Sequence, residues 1–109
     1  MTGLEAFQTL DVRVGRIVSA TPHPEARKPA YQLRVDLGPL GVRTSCAQLT
    51  ERYTPERLVG RLIVCAVNLG VRRIAGFASE VLVLGVPDAA GRVVLLSVEA
   101  DVPLGGRAY

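Results

Sequence analysis

Asp11-Val12-Arg13-Val14-Gly15-Arg16-Ile17-Val18-Ser19-Ala20-Thr21 is the stretch on which the architecture turns. Val12 and Val14 fall on one parity of an extended chain and Ile17 falls on the other, so the alternation slips at Gly15-Arg16. One extra residue at a glycine is what a β-bulge inserts, and bulges bend strands enough to close small barrels. The stretch therefore reads as a bulged first strand that stops at Pro22 and Pro24.

On the downstream side, Tyr31, Leu33, Val35 and Leu37 alternate strictly with Gln32, Arg34 and Asp36, the pattern of an antiparallel strand with one wet face. Gly38 to Gly41 makes a turn, after which Val42, Thr44 and Cys46 alternate with Arg43, Ser45 and Ala47. Thr54-Pro55-Glu56-Arg57-Leu58 reads as one helical turn, with Thr54 as N-cap, Pro55 at the first helical position and Gly60 ending it. Leu62 to Leu69, Val81 to Val86 and Val93 to Leu96 are apolar on both parities, as strands buried on both faces are. On the upstream side, Thr2 and Glu5 form a capping box that opens a short helix over Leu4 to Thr9. The count predicts an all-β fold: a five-stranded Greek-key OB-type barrel, a short helix between strands 3 and 4 plugging its open end, and a short N-terminal helix. A small barrel has one inside, and few residues here are helical. Strands apolar on both faces then need a second cover, which a homodimer would supply near Val81 and Val93.

The length of 109 residues fits a single domain over 1–109, and 49% hydrophobic against 21% charged residues is a globular composition. Mean hydropathy is +0.28. No apolar run approaches a membrane span, and Met1 to Leu10 lacks the order of a signal peptide, so a cytoplasmic protein is expected. Cys46 and Cys65 form no CxxC; two buried thiols are the simpler reading, a disulfide or redox role the alternative. His23 is the sole histidine, cannot build a metal site alone and reads as a loop residue. No nucleophile, carboxylate pair or phosphate loop stands out, so a binding protein without cofactor is expected rather than an enzyme.

The net charge is +3, and Lys28 is the only lysine. Residues 1–42 carry a net +1, residues 43–73 a net +4 and residues 74–109 a net −2, so the middle third is the anion-facing region. An arginine-rich surface suits bidentate phosphate binding, although a coding bias would produce the same statistic. Arg72 and Arg73 lie between two buried strands at a barrel rim, where they clamp phosphate or pair with Glu80. Asn68 either reads a base edge or caps its own turn. Ser79 and Glu80 face the same loop, Ser79 as a phosphate donor and Glu80 as an acceptor for an exocyclic amine or a partner for Arg73. Arg13 and Arg16 on the outward parity of the first strand and Arg34 outward on its neighbour either form a track for a phosphate backbone, which Arg43, Ser45, Gln48 and Arg52 extend, or are the ordinary charges of a wet strand face. Arg27 and Lys28 occupy the loop after His23-Pro24, and Phe77 is a candidate for base stacking.

Several blocks carry a family resemblance: Asp11 to Val18, His23 to Lys28, Leu33 to Gly38, Ser45 to Thr50, Val67-Asn68-Leu69, and Arg72 to Leu82. In this order they resemble the tRNA-binding OB domain. It occurs at the C-terminus of bacterial methionyl-tRNA synthetases, in EMAP II-like cytokine precursors and as free-standing proteins. Ser45-Cys46-Ala47-Gln48-Leu49 stands where many relatives have Ser-Gly-Leu, and Glu80-Val81-Leu82 where many have Gln-Gly-Met. Both differences are similar to the free-standing CsaA subgroup. The resemblance implies an OB fold, a homodimer and binding of tRNA or other structured RNA. It also implies a chaperone role towards unfolded or precursor polypeptides and a secretion motor subunit in protein export.

Overall fold

The computed structural model describes residues Met1–Tyr109. Its frame is built on β1 (Val12–Pro22), which pairs antiparallel with β2 (Tyr31–Asp36) on one side and with β4 (Leu62–Ala66) on the other. β3 (Val42–Ala47) joins β2, and β7 (Leu82–Val83) joins β4, giving the order β3-β2-β1-β4-β7. The amides of Glu80 and Val81 both donate to the Thr44 carbonyl, at 2.8 and 3.1 Å, so the last strand returns to β3 and the five strands nearly close. This is the OB-type barrel that the sequence predicts.

The two helices also form as expected. α1 (Gly3–Thr9) opens with the reciprocal capping box of Thr2 and Glu5. α2 (Pro55–Leu58) lies between β3 and β4, and Leu58, fully buried, plugs the barrel core. That core is filled by Ile17, Leu33, Val35, Leu37, Ile63 and Cys65, none of which retains exposed surface. No helix is long and apolar enough to cross a membrane.

The bulge lies later than the alternation suggested. β1 runs in unbroken register with β4 from Val12 to Arg16, and the register with β2 shifts between Ile17 and Ser19, so Val18 is the extra residue. Gly15 instead faces the core with Ile17, where an added Cβ would meet Val35 Cγ1 at 2.5 Å and Leu37 Cδ2 at 2.8 Å. Val12 and Val14 point the other way and are buried from outside by the C-terminal segment. Val14 exchanges backbone hydrogen bonds with Gly106 and Gly105 at 2.9 and 2.8 Å, and Ala108 donates to Val12 at 2.8 Å. The phase slip in the sequence is thus two buried faces on one strand, each with its own cover.

A second correction concerns β3. Leu33 pairs with Ser45 and Val35 with Arg43, so Arg43 and Ser45 share the inward parity while Val42, Thr44 and Cys46 face out. The late apolar runs are also divided more finely than expected. β5 (Arg72–Ile74) and β6 (Phe77–Ser79) form one hairpin, and β8 (Gly85–Pro87) and β9 (Val93–Leu95) form another. Val81 belongs to the core, whereas Leu82, Val86 and Leu96 are exposed.

The close approach at Gly15 makes a specific prediction. Gly15→Ala should destabilise the fold by about 1–3 kcal/mol, the usual range for overpacking. Combined with Val35→Ala, it should cost less than the sum of the two single changes, as measured by urea unfolding. Additive costs would mean that the two positions are not in contact.

Candidate nucleic-acid interface

The β5–β6 hairpin is the element that gathers the site. It turns through Ala75 at φ 48° and Gly76 at φ 83°; positive φ at both central residues is what a tight hairpin turn requires, and Gly76 meets it without strain. Three interactions fasten the hairpin to the barrel. The Thr44 hydroxyl donates to the Ala78 carbonyl at 2.7 Å, and the Cys46 amide donates to the Ser79 hydroxyl at 3.0 Å. His23 Nε2 lies 2.7 Å from the Ile74 carbonyl, and Gln32 Nε2 lies 3.2 Å from His23 Nδ1. These partners assign the ring proton to Nε2, leaving Nδ1 to accept. His23 is buried, with its ring centroid 5.8 Å from that of Phe77. It lies in the loop after β1 as expected, and it also acts as a clasp, for which the sequence held no signal beyond its being the only histidine.

Around this hairpin, Arg27, Lys28, Arg34, Arg72 and Arg73 are all exposed, and none takes part in an ion pair. Arg34 lies on the outward face of β2 opposite Thr44, one outward pair along from Gln32 and Cys46. Arg27, Lys28 and exposed Gln48 line one recess of about 280 Å³ together with Cys46 and Ile74. Arg72 lines an adjoining recess of about 110 Å³ that shares Cys46 and Ile74 and includes Ser79. Unpaired cations with free donors beside a shallow recess can neutralise phosphates and admit a ligand edge.

The remaining candidates from the sequence have structural work. With the bulge at Val18, Arg13 keeps the parity of Gly15 and only Arg16 faces outward. Arg13 grips both oxygens of Asp11, at 2.6 and 3.2 Å, and donates to the Gly105 carbonyl at 2.9 Å. Arg16 pairs across the sheet with Asp36 and donates to the Gly60 carbonyl at 2.7 Å, away from the hairpin. Arg43 is half-buried on the inward parity, and Ser45 is 1% exposed and out of reach of any ligand. Arg52 is bound to Asp88 at 3.2 Å. The Asn68 amide is consumed at both ends, accepting from the Asp11 amide and donating to the Thr9 carbonyl, each at 2.8 Å, so it ties α1 to β1 and reads no base. Glu80 accepts from the Thr44 amide at 2.9 Å and lies 2.8 Å from the Thr44 hydroxyl, whose one proton it shares with the Ala78 carbonyl; its partner is Thr44 and not Arg73. Ser79 Oγ accepts from the Cys46 amide, which leaves its O–H free to donate into the recess beside Arg72, and Phe77 is half-buried against His23. Thr44, which fastens both Glu80 and the hairpin, was not among the expected residues.

These bonds also set the carboxylates. The Thr44 donors hold the Glu80 carboxyl below its usual value, and hydrogen bonds from Arg13 do the same for Asp11. The backbone amides of Arg92 and Ala90, with the Arg92 guanidinium, lower Asp88. Burial pushes the Cys65 thiol up to about 11 and raises Cys46 as well, so neither is a thiolate at neutral pH.

The family model described as "Putative tRNA binding domain" matches residues 12–107. Among curated proteins, the chain is 40% identical over 101 residues to the methionine–tRNA ligase of Pyrococcus abyssi, covering 93% of this chain and 14% of that protein. It is 34% identical over 101 residues to the methionine–tRNA ligase of Flavobacterium johnsoniae, again over 93% of this chain and 14% of that protein. The chain thus spans about one-seventh of the length of these relatives. Among solved structures, the chaperone CsaA of Bacillus anthracis superposes with a TM-score of 0.93 at 48% identity, over 100% of this chain and 99% of that one. The CsaA chaperone protein of Picrophilus torridus gives 0.92 at 37% identity over 100% of both chains. A methionyl-tRNA synthetase-related protein of Pyrococcus horikoshii gives 0.87 at 26% identity, over 100% and 98%.

The lowered carboxylates predict an acid limit to stability. A group whose pKa is depressed by folding stabilises the fold above its unfolded value and loses that contribution as pH falls through the folded one. The reference values are 3.8 for Asp11 and Asp88 and 4.5 for Glu80. The melting temperature should therefore be level from neutrality down to about pH 5 and fall below about pH 4. Asp11→Asn should start lower and fall less steeply; an equally steep fall would remove Asp11 from the account.

Proposed function

Because the chain belongs to the tRNA-binding domain family, we propose that it is a binding module for tRNA or a similarly structured RNA. The observation that carries this reading is the group of five exposed, unpaired cations around the β5–β6 hairpin: Arg27, Lys28, Arg34, Arg72 and Arg73. Glu80, which follows the hairpin, directs its carboxylate to Thr44 rather than to Arg73, so the hairpin arginines stay unpaired. Recognition on such a face proceeds through charge and shape, with each phosphate neutralised releasing condensed counterions.

The module acts as a homodimer in this reading. Exposed Leu69, Val71, Leu82 and Val86 support a further apolar contact, and a two-fold pair would present the basic face twice. A second reading is a chaperone role in protein export, holding unfolded or precursor polypeptides for a secretion motor subunit. What favours it is that the B. anthracis and P. torridus neighbours are described as chaperones. The same exposed apolar side chains would hold the polypeptide.

Salt separates the two readings. Affinity for purified tRNA should fall steeply as salt rises, whereas capture of an unfolded polypeptide by apolar surface should hold or strengthen. Arg72→Ala and Arg73→Ala should each weaken tRNA binding and flatten the logarithmic salt slope by about 1 while leaving the dimer intact. Arg13→Ala should lower stability without changing that slope. Unchanged tRNA affinity in the Arg72 and Arg73 variants would overturn the assignment of the face.

A further inference from the structure

The recess between the 24–29 loop and the hairpin has a use that charge alone does not explain. Its volume is about 280 Å³. That is just below the range of roughly 300–1,000 Å³ in which drug-sized molecules are held, so it admits one flat ring system and little more. Its walls differ in chemistry. Ala26, Ala30 and Ile74 give it apolar sides, Gln48 supplies an amide, and Arg27 and Lys28 supply cations. Cys46 completes the lining from the outward face of β3.

We infer that this recess takes the base of a single unstacked nucleotide, with the Gln48 amide on the base edge and Arg27 and Lys28 on the phosphate of the same nucleotide. The inference rests on the RNA-binding reading and sharpens it. Apolar walls suit the two faces of a base. A glutamine amide offers one donor and one acceptor side by side, the complement of the N6 and N7 edge of adenine. A base inside a duplex is stacked and paired, so only an unpaired nucleotide can enter. The wall is also held in place before any ligand arrives. The Ile74 carbonyl is fastened by His23 Nε2 at 2.7 Å, and His23 is held in turn by Gln32 at 3.2 Å. A recess built on fastened backbone loses little freedom on binding.

Cys46 is a reporter for occupancy that requires no mutation. It is half-buried at the recess, whereas Cys65, the only other cysteine, is fully buried. The experiment measures maleimide labelling of Cys46 in the intact protein at mildly alkaline pH, with the labelled peptide identified by mass. Labelling is compared without ligand, with a single-stranded oligoadenylate, with a blunt-ended RNA duplex of the same length, and with an unfolded polypeptide. Each RNA is added at a concentration where binding, followed separately by fluorescence anisotropy, is saturated. Oligoadenylate should slow labelling about tenfold, the duplex should leave it nearly unchanged, and Gln48→Ala should weaken oligoadenylate about tenfold with duplex affinity preserved. Both RNAs bound with neither protecting Cys46 would overturn the base pocket and leave the RNA-binding reading standing. Equal protection by duplex would mean that a phosphate backbone covers the recess, which also overturns it. Protection by an unfolded polypeptide but by neither RNA would assign the recess to a peptide instead. Binding of neither RNA while purified tRNA still binds would overturn this inference alone; failure of purified tRNA as well would overturn the reading beneath it.

Discussion

The absence of a side chain at Gly15 is the constraint on which the rest of the structure depends. Val35 Cγ1 and Leu37 Cδ2 occupy the space a Cβ would need, so these core side chains pack directly against the bare backbone of β1. With that space given to the core, Ile17, Leu33 and Val35 fill the barrel from adjacent strands, and the extra residue at Val18 lets the upper half of β1 follow β2 as the sheet curves. The opposite face of the lower half is left apolar at Val12 and Val14. It is covered by the returning C-terminal segment, whose Gly105, Gly106 and Ala108 pair with those two valines.

That return governs which charges are free. It delivers the Gly105 carbonyl and Arg107 to the end of β1, where Asp11, Arg13 and Arg107 form one ionic cluster. Isolated surface ion pairs contribute little, but a bidentate pair that also bonds a backbone carbonyl is better ordered than most. Arginine is used in the same structural manner at Arg16 and Arg52, and Arg61 lies over the Tyr53 ring at 5.1 Å. Removing these leaves the exposed, unpaired cations around the hairpin as a distinct set. The face keeps unpaired cations because none of the five has an ion-pair partner, Glu80 bonding Thr44 instead of Arg73.

Thr44 does this because of where it sits. On β3 its carbonyl closes the barrel through Glu80 and Val81, its amide and hydroxyl hold the Glu80 carboxylate, and its hydroxyl reaches the Ala78 carbonyl of the hairpin. Barrel closure and presentation of the basic hairpin are therefore the same event. His23 adds the second anchor from the far end of β1, so both ends of the hairpin are referred to the barrel frame.

Much of this architecture was legible in the residues themselves. Alternation over Tyr31 to Leu37, the capping box at Thr2 and Glu5, and Thr54-Pro55 before a short helix are local patterns, and local geometry alone fixes their outcome. The position of the basic side was legible in part. Of the middle third that the charge distribution singled out, only Arg72 and Arg73 join the exposed, unpaired cations; Arg27, Lys28 and Arg34 come from the first third and are brought beside them by the fold. What the sequence could not reveal were partners far apart in the chain. Arg13 looked free until Gly105 arrived, Asn68 until Thr9 and Asp11 took its amide, Glu80 until Thr44 did. Likewise Ser45 and Arg43 face inward because β3 pairs with β2 in that register, which their own alternation with Thr44 and Cys46 leaves undecided. The sequence by itself determined the early strands, the two helices and the overall sign of the charge, since these follow from neighbours along the chain; the bulge position and the division of the late strands followed from pairing. Only the tertiary structure decided which polar groups were already satisfied, because a hydrogen bond across 30 or more residues exists only once the barrel has closed.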